Sequence, residues 1–161
     1  TIRMGGSNFD AAIVQHIRRQ YNMMIGDATA ESIKISIGSV YSGMETEILE
    51  VNGRDMVTGL PKSAKVTTDE IRMCLSELTD EIIDAVKVTL ENTPPELAAD
   101  VMESGIVLTG GGAMLKGLGR LININTEIPV YIAENPIECV AVGAGKALDY
   151  MMNRNRGILG R

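Results

Sequence analysis

The sequence has no tryptophan, one phenylalanine (Phe9) and one histidine (His16) among its 161 residues. With so little aromatic volume, the core must be aliphatic, built from Ile, Val, Leu and Met. Cysteine is nearly as scarce. Cys74 and Cys139 lie far apart in apolar contexts, which argues against a disulfide framework and offers no metal-ligand spacing. One histidine and two scattered thiols do not make a zinc site without carboxylates. Long apolar runs are missing too. Nothing approaches the roughly 18 apolar residues of a membrane helix, and no N-terminal segment has the pattern of a signal peptide. The chain reads as cytoplasmic. Positive charge is in deficit, with 15 basic against 21 acidic residues and a net charge of -6. That balance argues against nucleic acid as a partner, since such domains show a basic face. A local exception is residues 151–161, where Arg154, Arg156 and Arg161 stand beside Ile158 and Leu159 with no acid. This segment reads either as a frayed terminus or as a weak membrane or partner contact.

What remains is a globular composition, 45% hydrophobic, enough for one domain or two small subdomains. Thr1-Ile2-Arg3-Met4 alternates polar and apolar as a half-buried strand does. Ser7 at a helix start, with Asp10 three residues on, predicts a first helix with Ile13, Ile17 and Tyr21 on one face. Gly26-Asp27 ends it and opens a second, through Ala30, Ile33 and Ile37 to about Gly38. Between Glu45 and Val66 the period becomes two. A strand over residues 46–51, a turn at Asn52-Gly53 and a second strand over residues 63–66 make a hairpin. Thr67 and Glu70 form a capping box. A long helix follows, with Ile71, Leu75, Leu78, Ile82, Val86 and Leu90 on one face. Thr93-Pro94-Pro95-Glu96 is a second box, opening a short helix. Then come a buried strand over residues 106–109, three glycines, a helix from about Ala113, and a strand over residues 129–132. A last helix opens at Asn135-Pro136, with Val140, Ala144, Ala147 and Leu148 on one face. Short apolar strands alternating with helices imply α/β architecture with a parallel sheet. A boundary near Val66 separates residues 1–66, helices plus a small hairpin, from an α/β unit over residues 67–161.

The chemistry centres on Gly110-Gly111-Gly112. Glycines after a buried strand let the backbone approach a flat group or a phosphate, and ligands of open α/β sheets bind beyond the carboxyl ends of the strands. The segment fits neither the Walker loop nor the dinucleotide fingerprint. A tight strand-to-helix turn explains the glycines equally well. Glu31 and Lys34 lie three apart on the second helix and can face one side; spacing alone favours a surface ion pair. No nucleophile–base set, catalytic carboxylate or metal cluster emerges.

Taken together, these motifs resemble a known family. Ile106-Val107-Leu108-Thr109-Gly110-Gly111-Gly112-Ala113-Met114-Leu115 resembles the adenosine motif of the actin and sugar-kinase superfamily. Thr93-Pro94-Pro95-Glu96-Leu97 before it looks like the MreB family of bacterial actins. So do Ile25-Gly26-Asp27-Ala28-Thr29-Ala30-Glu31, Gly53-Arg54-Asp55 with Thr58-Gly59-Leu60-Pro61, Ala133-Glu134-Asn135-Pro136 and Cys139-Val140-Ala141-Val142-Gly143. The resemblance covers about residues 2–149 and is closest to the MreB proteins of Gram-positive rods. Ser7 departs from it, standing where the family often has Asp.

The resemblance implies an actin-like (ribonuclease H-like) ATPase fold, of which this chain is the second large domain, with residues 1–66 as a small α+β upper subdomain. It implies ATP or ADP as ligand, with Mg2+ held through the phosphates. Gly111, Gly112, Ala113 and Met114 would cradle adenine and ribose, Gly110 would shape the turn, and Glu31 with Lys34 would close over them. The phosphate loops and catalytic carboxylate would lie outside this chain, leaving whether it is itself an enzyme open. The implied function is a cytoskeletal filament, stacked head to tail under the inner face of the cell membrane, guiding wall-synthesis proteins in rod-shaped cells. The alternative is the nucleotide-binding domain of a heat-shock chaperone on the same fold, because residues 5–10 resemble that segment too. A non-hydrolysing scaffold and a sugar kinase stand behind these.

Overall fold

The computed structural model describes residues 1–158, with side chains as far as Met151. The C-terminal arginine segment therefore lies outside the side chains described. Helix α1 (Gly6–Tyr21) leads through a two-residue strand β1 (Met23–Met24) to α2 (Asp27–Ile37). Strands β2 (Ile48–Asp55) and β3 (Pro61–Thr67) follow, then the long α3 (Thr68–Glu91). The rest is α4 (Pro95–Ser104), β4 (Ile106–Leu108), a 3-10 turn η1 (Gly111–Met114), α5 (Leu118–Thr126), β5 (Val130–Ile132) and α6 (Cys139–Ile158). The strands make an antiparallel sheet in the order β1-β2-β3 and a parallel pair β4-β5. A short helix-flanked parallel pair is the expected α/β pattern.

Helix α1 buries Phe9, Ile13 and Ile17, and α2 buries Ala30, Ile33 and Ile37. These stripes meet Met23, Val51, Val66, Ile71 and Leu75, and the same cluster takes in Leu115, Leu118 and Ile122. The core is aliphatic, with Phe9 its one ring. On α3 the buried stripe is Ile71, Leu75, Thr79 and Ile83, while Leu78, Ile82 and Val86 lie half-buried on its flank. Thr79 serves as a core residue because its hydroxyl donates to the Leu75 carbonyl at 2.8 Å, which hides its polar atom.

The Thr67 capping box forms as the sequence indicates. Glu70 N–H donates to Thr67 Oγ1 at 3.3 Å, and Glu70 Oε2 accepts from the Thr67 amide at 2.8 Å. The Tyr21 hydroxyl joins it, 2.8 Å from Glu70 Oε1 and 2.9 Å from the Lys65 carbonyl. Burial first, then the Glu70 carboxylate, push the Tyr21 phenol up to about 12. Burial pushes the Glu70 carboxyl upward, but the Thr67 amide and the Tyr21 and Thr67 hydroxyls outweigh it and hold Glu70 below its ordinary value. This knot fastens the end of α1 to the β3–α3 junction.

Several local expectations fail for identifiable reasons. Residues 1–4 form no strand, since no described strand pairs with them and an unpaired strand lacks its ladder of hydrogen bonds. Helix α1 starts before Ser7. Its cap is Gly5, whose amide donates to Asn8 Oδ1 at 2.9 Å. Asn52-Gly53 is not a turn. Both sit inside β2, opposite Ser63 and Lys62. Gly53 is there because a Cβ would meet the Met24 carbonyl at 2.6 Å, where β1 crosses close. The turn is instead built by Asp55, whose Oδ1 accepts from the amides of Val57 and Thr58. Thr93 does not cap α4. Its hydroxyl donates back to the Thr89 carbonyl at 2.7 Å and Pro94 takes the cap position. The helix expected from Ala113 is a single 3-10 turn, and α5 begins only after Gly117, which sits at φ 86. Helix α6 starts at Cys139, and its expected apolar face stays exposed, with Val140 at 72% and Leu148 at 59%.

Candidate functional site

The glycine segment leaves the end of β4 as a sharp turn. Gly110 adopts φ 80 and ψ 172, a region open to glycine alone. Its amide donates to the Pro136 carbonyl at 2.6 Å and its carbonyl accepts from the Ala113 amide at 3.2 Å. Gly110 is thus a conformational requirement, as the tight-turn reading holds. Gly111 and Gly112 are different. Neither has a positive φ, and a Cβ on either would find nothing within 4 Å. No acceptor among the described residues takes their amides. Neither backbone conformation nor packing among the described residues requires two glycines there. Ala113 turns into the core at 3% exposure, while Met114 faces outward at 59%.

The far end of this turn is tied to α2. Lys116 Nζ donates to the Ser36 carbonyl at 2.6 Å and pairs with Glu47 at 3.3 Å. The Val40 amide donates to the Lys116 carbonyl at 3.0 Å, beside an isolated parallel bridge between Ser39 and Lys116. Next to it, Gly117 leaves room for Tyr41, whose Cβ would lie 2.5 Å from an added Cβ. Arg120 stacks on the Tyr41 ring at 4.3 Å. The helix carrying Glu31 and Lys34 is therefore clamped by its C-terminal end to the residue two past Met114.

Glu31 and Lys34 do not pair with each other. Lys34 Nζ reaches across to α1 instead, 2.7 Å from Asp10 Oδ1 and 3.3 Å from the Gly6 carbonyl. Glu31 is exposed, with no ion pair or hydrogen bond from its side chain among the described residues. The surface-pair expectation fails because a partly buried carboxylate on the neighbouring helix outcompetes one in water. The structure brings Gly110, Gly111, Gly112, Ala113 and Met114 into one turn. It joins neither Glu31 nor Lys34 to that turn by a hydrogen bond or ion pair among the described residues. Sequence reasoning missed Asp10 as the partner of Lys34 and Lys116 as the clamp. Asp10 carried a signal: it follows Phe9 and precedes Ile13 by three on the buried stripe, where a carboxylate needs a counter-charge. Lys116 carried none, since its partner is a backbone carbonyl 80 residues away.

Among the described residues no cluster of His, Cys, Asp or Glu could hold a metal ion, and no helix is long and apolar enough to cross a membrane.

The family model described as MreB/Mbl protein matches residues 1–156. The cell shape-determining protein MreB of Escherichia coli (strain K12) is 50% identical over 149 residues, covering 92% of this chain and 43% of that protein. The cell shape-determining protein Mbl of Bacillus cereus is 48% identical over 149 residues, covering 92% of this chain and 45% of that protein. The crystal structure of MreB 5 of Spiroplasma citri bound to AMPPNP superposes with a TM-score of 0.88 at 38% identity, covering 97% of this chain and 46% of that one. The fold is accordingly the actin-like α/β ATPase fold, and the chain spans less than half the length of these relatives. The chaperone alternative draws no support from these matches.

Proposed function

The chain belongs to the MreB/Mbl family, and from that premise we propose that it supplies the adenosine side of the nucleotide site in a cell shape-determining, filament-forming ATP-binding protein. The observation that carries the reading is the pair Gly111 and Gly112, glycines with no conformational or packing need among the described residues and open space before them. Bare backbone with free amides is what a flat purine and its ribose can approach closely. Gly110 shapes the turn, Ala113 anchors it in the core, and Met114 offers an exposed thioether to one face of the base. Glu31 and Lys34, on the helix clamped through Lys116, close over the nucleoside from the upper subdomain, residues 1–66. The lower unit, residues 67–161, carries the turn. The MreB 5 structure that matches across the chain holds AMPPNP, in keeping with this assignment.

The phosphates, and Mg2+ bound through them, then fall to the remainder of the intact protein. A nucleotide held between two domains shifts their closure by its differential affinity for the closed state. Closed subunits stacking head to tail make a heterologous contact that does not close on itself, and so a filament. Such filaments would lie against the inner face of the cell membrane, where wall-synthesis proteins work. The test is sedimentation of the intact protein with ATP and lipid vesicles, followed by imaging of the pellet. Nucleotide-dependent filaments on the vesicles are the expected result. An ATP-binding protein that never polymerises under varied salt and lipid would refute the filament assignment.

A further inference from the structure

We propose that Asp10 is the positioning residue for Lys34, a role that rests on the assignment of Lys34 to the nucleoside site. Asp10 sits on α1 between the buried residues Phe9 and Ile13. Its Oδ1 is buried, and no donor among the described residues meets it in hydrogen-bond geometry. The Lys34 ammonium at 2.7 Å is what balances it. The two side chains are only 16% and 17% exposed, so this is not a pair of mobile surface groups.

The partner expected from spacing, Glu31, is left exposed on the same helix. Crossing to α1 has two consequences. First, it fixes the direction of a flexible four-carbon stem that would otherwise sample many rotamers. Second, it divides the donors of the ammonium. Of three N–H bonds, one is given to the Gly6 carbonyl at 3.3 Å, while Asp10 Oδ1 meets the ammonium as a charge at 2.7 Å and not in hydrogen-bond geometry, so donor capacity remains for a ligand acceptor. With its charge neutralised by Asp10, Lys34 suits an uncharged group with lone pairs, such as a ribose hydroxyl or a purine ring nitrogen, and does not compete for a phosphate. Asp10 touches no ligand in this arrangement. It acts through Lys34.

A double-mutant cycle on the intact protein tests this, with ATP affinity as the readout. Asp10→Asn and Lys34→Met are each expected to weaken ATP binding roughly tenfold, and the double variant no further than Lys34→Met alone. Losses that multiply in the double variant would show that Asp10 acts independently of Lys34 and overturn the proposal. Asp10→Asn at the parent affinity, with Lys34→Met weakened, would overturn it too while leaving Lys34 in the site. Lys34→Met at the parent affinity would remove Lys34 from the site and this role with it. If Asp10→Asn does not fold, Asp10→Glu keeps the charge and moves it by one methylene. It is expected to fold and still weaken ATP binding, and an unchanged affinity there refutes the positioning role.

Discussion

Replacing Gly110, Gly111 and Gly112 by alanine one at a time separates what the fold needs from what a ligand needs. Gly110 sits at φ 80 and ψ 172, where an L-residue is strained by about 1–3 kcal/mol. Gly110→Ala should therefore lower the stability of the protein without nucleotide by that amount. At Gly111 and Gly112 the φ is not positive and an added methyl meets nothing within 4 Å. Alanine there costs no strain and restricts the unfolded chain, a change of about 0.4–1 kcal/mol in favour of the fold. The same methyl would stand between the backbone and a nucleoside in contact with it, a loss of about 1–3 kcal/mol by analogy with overpacking. The assay is urea unfolding of the intact protein with and without ATP, since a ligand that binds only the folded state raises the midpoint. Gly111→Ala and Gly112→Ala should keep or raise the nucleotide-free midpoint while losing most of the ATP-dependent rise. If either costs as much stability as Gly110→Ala, or keeps the full ATP effect, the glycines serve the turn alone and the reasoning is refuted.

Three further outcomes follow from the packing. Ile33→Ala, on α2 and 1% exposed in the aliphatic core, should cost about 2–5 kcal/mol in denaturant unfolding. Gly53→Ala must push β1 away from β2, since its Cβ would lie 2.6 Å from the Met24 carbonyl. A loss of about 1–3 kcal/mol is expected, with no loss expected from Gly111→Ala in the same assay. Glu70 has its carboxyl held below the ordinary value in the fold. Its contribution is present at neutral pH, above the unfolded value, and is lost as pH falls through the folded one. Glu70→Gln should flatten the acid side of the stability–pH curve and, because the carboxylate also helps raise the Tyr21 phenol, soften the loss of stability on the alkaline side.

Much of this was legible in the sequence where a local chemical device decides the structure. The Thr67–Glu70 box and the Ile13–Ile17 stripe of α1 are both set by neighbours in the chain. What was not legible was set by distant partners. Gly53 looked like a turn glycine because its true constraint, the Met24 carbonyl, lies on another strand. Thr93 looked like a cap because nothing local reveals that its hydroxyl turns back to Thr89. At the candidate site, the turn at Gly110 could be read from three consecutive glycines. The distinction between Gly110, needed by the backbone, and Gly111 and Gly112, needed by nothing among the described residues, required the geometry. Lys34 is placed on its helix by the sequence pattern, but its tie to Asp10 spans two elements and follows from no spacing.

In the proposed arrangement the nucleoside lies against the turn Gly110–Met114 and the helix bearing Glu31 and Lys34. Photolabelling the intact protein with 8-azido-ATP, followed by peptide mapping, tests it most directly. Label on peptides containing residues 109–116 or residues 28–35, displaced by excess ATP, is the expected result. ATP-displaceable label that avoids both segments would contradict the account.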